Sequence, residues 1–365
     1  MERASDSALP FDSASQDPNA KGAAPRGRVW KLLLRSFIGL AGGLAVAVIA
    51  AHFLGVHPRE VWQHIESVPA WATLFGVASS FVVLGLQSWR WHRVMGPLLG
   101  LRYTDAFRAQ IVGFLFNAFL PARGGDLLRV QYLGRRTGKS RATILGTELV
   151  DRWLDWWGWI PTFLALELFA HPPKQLLIAL ATFGALLSAM GAAMVLLTRA
   201  KWKPREGSMA GKLFIALRTG VLAFRDRRIW VTAFFIAPLP WLWEATALTI
   251  VGRAFGCDLT LVQAFSVMIA FNVAMIVPSP GGVGTVESGG MLALNFFGFN
   301  HSSALAFMTV YHFSQLIPGI AAGAGVLFAE GERLFGGASR LGEYALENEP
   351  ELGGSAPVDA EALAK

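Results

Sequence analysis

The chain has a single cysteine, Cys257, in 365 residues. That scarcity excludes an internal disulfide framework and any metal site built from several thiolates, and Cys257 reads as a small apolar filler in a helix or its connection. Charge is sparse as well. Only 16% of the residues are charged, 53% are hydrophobic and the mean hydropathy is +0.45, a composition that no soluble domain of this length needs. No motif with metal-ligand spacing and no nucleophile beside an obvious base is present, so neither a cofactor nor a catalytic centre is expected. The excess of 32 Lys and Arg over 25 Asp and Glu is spread over short connections and gathers into no basic face, which argues against nucleic-acid binding.

What the chain does have is long apolar runs, and they predict an all-α, polytopic membrane protein. Residues 1–28 are rich in Ala, Ser, Asp, Pro and Gly without apolar periodicity and read as a disordered tail, not a cleaved signal peptide. Full crossings are expected at about Ser36–Leu54, Ala70–Trp89, Trp153–Ala170, Leu176–Leu197, Trp230–Val251 and Ser303–Phe328, each near the ~20 residues that a bilayer requires. The second run ends in QSWRWHR, where tryptophan and arginine suit the headgroup region, and Trp153, Trp156, Trp157 and Trp159 read as another aromatic belt. Between Arg199 and Arg228 the mixture of apolar and basic residues fits either an interfacial amphipathic helix or a solvated loop. Residues 331–365 read as a polar, acidic tail.

Basic residues orient the spans. Lys21, Arg26, Arg28, Lys31 and Arg35 precede the first crossing, whereas Arg59 alone among Lys and Arg follows in the next connection, so the amino terminus is expected in the cytoplasm. Carried forward, the rule puts both termini inside. It also forces two segments too short to cross alone to enter the membrane and turn back, as hairpins over 106–133 and 261–298. About six full spans plus these two hairpins make eight or more membrane segments, within a membrane domain over 29–330 placed in a cell's inner membrane.

The two hairpins resemble each other. FNAFLPARGGDLLRV at 116–130 can be laid on VAMIVPSPGGVGTVE at 273–287, matching Pro121 with Pro278, Gly124 with Gly281 and Gly125 with Gly282. Three expected spans lie between them, an odd number, so the copies face opposite sides of the membrane. That is an inverted-topology repeat, whose interrupted helices mark a binding site near the midplane. The competing reading is a pair of glycine-rich contacts that let helices pack closely.

Broken helices end with free N–H and C=O groups, and in a membrane such backbone survives only beside protein or a water-filled cavity. Arg123 sits at the first break with Asp126 and Arg129 close in sequence. It is a candidate ligand for a phosphate, helped by a half-helix N-terminus, or else an ion-pair partner of Asp126. Glu287, in the second hairpin after Gly284, is an intramembrane carboxylate with a structural or proton-coupled role. Glu148, Asp151, Arg152 and Asp155 recur at spacings of three and four and share one helix face, as a salt-bridged stripe or as a gate that contacts a headgroup. Tyr311, His312, Ser314 and Gln315, near a kink at Pro318, are secondary candidates.

NAFLPARGGDLLR, DRWLD and PSPGGVGTVE together resemble the flippase-like transmembrane family, named after the membrane half of lysylphosphatidylglycerol synthase. The resemblance covers about Trp30 to Ala329. It implies an inner-membrane protein that moves a lipid between leaflets, an aminoacylated phospholipid or a polyprenyl-linked glycolipid, and carries motif positions to Pro121, Arg123, Gly124, Gly125, Asp126 and Arg129, and to Pro278, Gly281, Gly282, Gly284 and Glu287. Bifunctional members carry a large soluble aminoacyl-transfer domain, and only a short polar stretch follows Phe328 here. The expected partner is therefore a membrane lipid with an anionic headgroup, while a homodimer and an association with lipid-biosynthesis enzymes are left open. A membrane-embedded lipid-modifying enzyme and a biosynthetic scaffold are the alternatives.

Overall fold

The computed structural model describes residues 40–45, 47–49, 51–120, 123–159, 174–199 and 209–335, together with Phe37. Pro121, the tail at 1–28, nearly all of the tail at 331–365 and much of the crossing expected at Trp153–Ala170 lie outside them. Every regular element among the described residues is helical. The helical residues 40–53 are followed by α1 (Pro58–Glu66), α2 (Ala70–Leu99), α3 (Tyr103–Phe119), α4 (Gly125–Thr137), α5 (Arg141–Trp157) and α6 (Lys174–Arg199). Then come α7 (Met209–Val221), α8 (Arg227–Ile236), α9 (Leu239–Arg253), α10 (Leu261–Ala274), α11 (Thr285–Phe296) and α12 (His301–Phe335).

Among the described residues, four stretches are long and apolar enough to cross a membrane: Ala70–Leu99, Ala181–Arg199, Val231–Arg253 and His301–Glu330. Leu40–Phe53 and α1 make a fifth only if their 103° bend falls within one span. The chain is thus a multi-pass helical membrane protein.

One boundary differs from expectation. α2 does not stop at Trp89 but continues to Leu99, where Gly100 ends it in the left-handed conformation (φ 66°). The reason is burial. Arg90 is 1% exposed and Trp91 is fully buried, so these residues face the protein core, where Arg90 finds carboxylates, and not the lipid headgroups. The tryptophan belt after residue 150 divides in the same way: Trp153 and Trp159 are buried, while Trp156 is exposed.

α2 and α12 form the centre of the molecule. α2 lies against α3, α8, α9 and α12, and α12 lies against α1, α2, α3 and α11. Small residues let these helices approach. Gly319 and Gly323 of α12 receive Phe114 and Leu115 of α3, Gly76 of α2 faces Ser314, and Gly290 of α11 faces Met308. On another side, Gly146 of α5 meets Gly220 of α7, so the basic connection contains a packed helix that ends in the fully buried Val221.

Each of the two expected hairpins is a helix that folds back on itself: α4 packs on α3, and α11 on α10. A glycine closes each pair. A side chain at Gly125 would strike the Gly113 carbonyl and Asn117, and one at Gly289 would strike the Ala270 carbonyl and Ala274. Gly113 aligns with Ala270 and Asn117 with Ala274 in the sequence match, yet the closing glycines, 125 and 289, do not align. The second break is the longer of the two, so the matched Gly282 belongs to its loop and Gly289 takes the packing role of Gly125.

Candidate functional site

The spacing of Glu148, Asp151, Arg152 and Asp155 places four ionisable groups on one face of α5. Ser140 fixes the start of that helix, its hydroxyl accepting a hydrogen bond from Thr143 N. The charged face turns inward, where α2 and α4 supply cations. Arg90 Nε donates to Asp151 Oδ1 at 2.8 Å and Arg90 Nη1 to Asp155 Oδ1 at 2.7 Å. Arg129, 1% exposed, donates to Glu148 and to Gln110 of α3, and its guanidinium lies 4.6 Å from the Trp91 ring centroid. Arg152 reaches Glu148 at 2.9 Å, Asp126 at 3.2 Å and Asp155 at 3.5 Å. Desolvating each of these ions costs several kcal/mol, and only such multiple partnering offsets that.

The first break sits at the open end of this network. Asn117, near the end of α3, ties it together: its Oδ1 accepts from Gly125 N at 2.8 Å and its Nδ2 donates to Asp126 Oδ1 at 3.0 Å. The start of α4 is thereby capped by the helix before it. Arg123 stands apart from the other arginines. Its side chain is 62% exposed and its Nε is 4.0 Å from Asp126 Oδ2. With φ at 56° it is the one non-glycine residue of left-handed backbone among the described residues, a conformation that costs an L-residue energy and is kept where surrounding structure imposes it. Gly124 follows it in right-handed helical conformation.

The second break is held differently. Gly281, Gly282 and Gly284 all have positive φ, and at Gly284 (φ 85°) a Cβ would collide with the Gly43 carbonyl. The helical residues 40–53 therefore cross the break where the backbone is bare. Glu287 Oε2 accepts from Gly284 N at 2.7 Å, closing the first turn of α11. Its Oε1 is 2.7 Å from His312 Nδ1, and His312 Nε2 is 2.9 Å from the Gly281 carbonyl. Both ring nitrogens face oxygen acceptors, so both bonds form only when the pair shares a proton, as imidazolium with carboxylate or imidazole with carboxyl. Pro278 is exposed at the tip, beside exposed Ile276 and Val277.

The two breaks adjoin. A Cβ on Gly281 would stand 3.4 Å from the Ala118 carbonyl at the end of α3. The candidate residues thus fall into two neighbouring groups: Arg123, Asp126, Arg129, Asp151, Arg152 and Asp155 around the first break, and Gly281, Gly282, Gly284 and Glu287 around the second. Arg90, Trp91, Gln110 and Asn117 also belong to the first group; the first three lie outside the matched motifs, and Asn117 lies inside one without having been singled out. A signal existed for Arg90: carboxylates at 151 and 155 on an inward face require a cation beyond Arg152.

A family model described as the lysylphosphatidylglycerol synthase transmembrane region matches residues 36–323. A protein named UPF0104 membrane protein, from Methanothermobacter thermautotrophicus, is 24% identical over 294 residues, which cover 72% of this chain and 86% of that protein. The matched range takes in α2, both breaks and the charged face of α5. This chain belongs to the family of the lysylphosphatidylglycerol synthase transmembrane region.

Proposed function

We propose that the protein is a lipid translocator of the inner membrane, with both termini in the cytoplasm, in which the headgroup phosphate of an anionic lipid binds at Arg123. The observation that carries this reading is Arg123 itself. It is the exposed cation of an otherwise buried network, held in strained backbone at a helix break and only loosely paired. A guanidinium in that state offers a phosphate two parallel hydrogen bonds without first breaking a strong ion pair. Arg129 supports it from below as a buried structural cation. Short hairpins support re-entrant segments: α10, with 14 residues, spans ~21 Å at 1.5 Å per residue, against a hydrocarbon core of ~30 Å. On this reading α3–α4 and α10–α11 are the interrupted halves of an inverted repeat, and rocking of one against the other exposes the site to each leaflet in turn.

An enzyme is the weaker reading. Asp126 accepts hydrogen bonds from Asn117 and Arg152, and Asp151 accepts from Arg90, so both carboxylates are already engaged within the protein. The test is movement of fluorescent phospholipids and of a polyprenyl-phosphate analogue between leaflets of liposomes that hold the purified protein. The wild type is expected to move at least one of them, and Arg123→Ala to lose that movement while eluting as a folded protein. Full transport by Arg123→Ala would remove the phosphate role.

A further inference from the structure

Glu244 lies near the middle of the apolar stretch Val231–Arg253. It occupies the face of α9 that carries Pro240, Ala247, Leu248 and Val251, all buried, so it points into the protein, where it is half-buried. No hydrogen bond or ion pair reaches its carboxylate among the described residues. Every other carboxylate described above has a partner. An ionised carboxylate at such depth without a counter-charge is costly, and one retained there marks an ion or proton pathway.

Among the described residues, its surroundings supply no cation. From α5 the nearest charged group is Asp155, of like sign, whose oxygens are taken by Arg90 and Arg152. Trp241, one turn before Glu244, donates to the Asp155 carbonyl at 3.1 Å, which holds the two elements together. From α12 comes Tyr311, whose hydroxyl donates to the Glu244 carbonyl at 3.4 Å. α10 carries no ionisable residue, the arginines of α8 are its first two residues, and Arg90 of α2 is already bound to Asp151 and Asp155. Glu244 therefore stands between the network of the first break, through Asp155, and the second break, through Tyr311 and its neighbour His312.

We infer that Glu244 is the proton-binding site of the transport cycle, taking a proton from water as an anionic headgroup binds and returning it to water on release. The charge balance gives the coupling its sign. Arg90, Arg123, Arg129 and Arg152 balance Asp126, Glu148, Asp151 and Asp155, so an ionised Glu244 leaves the site with one net negative charge. A headgroup anion adds another, and a proton on a Glu244 oxygen cancels it. Anion binding and proton binding therefore favour each other, and by linkage each strengthens the other equally. Asp155, paired with Arg90 and Arg152, is the group through which the charge on Glu244 is felt by the network. Glu287, already bonded to Gly284 and His312, has no such freedom.

This inference rests on the translocator reading, and two measurements separate them. Infrared difference spectra of the purified protein on mild acidification are expected to show a protonated carboxyl band that is lost in Glu244→Gln and retained in Glu287→Gln. Retention of the full band in Glu244→Gln overturns the proton site. In liposomes, imposing a proton gradient is expected to change the rate of lipid movement by wild type and to leave Glu244→Gln unaffected; an equal response of the two overturns the coupling. If wild type moves no lipid, the translocator reading fails and the coupling fails with it, while the infrared result still decides whether Glu244 binds the proton.

Discussion

Arg90 is where the ionic network is most exposed to a quantitative test. Its side chain is 1% exposed, and those of Asp151 and Asp155 are 2% and 5% exposed. Replacing it by methionine keeps much of the volume but leaves Asp151 with only Arg129, at 4.0 Å, and Asp155 with Arg152, at 3.5 Å. Removing one partner of a buried ion pair costs about 3–5 kcal/mol, because the remaining charge is neither solvated nor compensated. That corresponds to roughly two to four powers of ten in the folded-to-unfolded ratio. Reversible unfolding in mixed micelles, followed through the fluorescence of the 13 tryptophans, is the assay. The triple variant Arg90→Met, Asp151→Asn, Asp155→Asn removes the stranded charges and should recover most of the loss. Wild-type stability for Arg90→Met would mean that water reaches the network. A triple variant no better than the single one would assign the cost to packing and refute the electrostatic reasoning.

Two further outcomes follow from backbone strain and from burial. Arg123→Gly relieves the left-handed φ of 56° and should raise stability in the same assay by about 1 kcal/mol while losing lipid movement; a loss of stability would mean that the guanidinium contributes to folding. Cys257, in the connection after α9, is 1% exposed and burial pushes its thiol up to about 11, so at neutral pH it is the unreactive neutral form. Maleimide labelling of the folded protein should be slow there and accelerate with alkaline pH, by about tenfold per unit, until the thiol ionises; rapid labelling at neutral pH would contradict that burial.

The parts of the structure legible in the sequence are those set by local pattern. Apolar runs announced helices, P-x-x-G-G announced breaks, and a spacing of three and four put Glu148, Asp151, Arg152 and Asp155 on one face. What local pattern does not carry is the choice of partner. Arg90 is 61 residues from Asp151, and its tryptophan neighbours made it look like an interfacial cation; only the inward turn of α5 reverses that. Asn117 lies in the matched motif, but its role as a cap depends on α4 folding back upon α3. The sequence match of the two breaks equated Gly125 with Gly282, because alignment counts residues and packing does not. Glu244 is a different case. It is the sole ionisable residue in the run from Trp230 to Val251, so its position is legible, but it belongs to no motif, and what distinguishes it is that its carboxylate has no partner among the described residues.

α12 packs against both hairpins, and its fastenings to them are unequal. Toward the first hairpin, Glu330 accepts from Tyr132 at 2.6 Å, from Arg108 at 3.1 Å and from Arg136. Toward the second, His312 binds Glu287 and the Gly281 carbonyl. The arginine side chains at the Glu330 end are 43% and 24% exposed, so each of those pairs is worth at most about 1 kcal/mol, and solvent replaces what is lost when one opens. His312 and Glu287 are 10% and 6% exposed, and breaking that pair leaves buried polar or charged groups without partners, at a cost of about 1–5 kcal/mol. On the translocator reading, a motion between the hairpins would open the arginine pairs of Glu330 before the His312–Glu287 pair. At Gly319 and Gly323 the bare backbone of α12 is the floor on which Phe114 and Leu115 of α3 rest. A side chain at either position would meet them at under 3 Å and push the two helices apart.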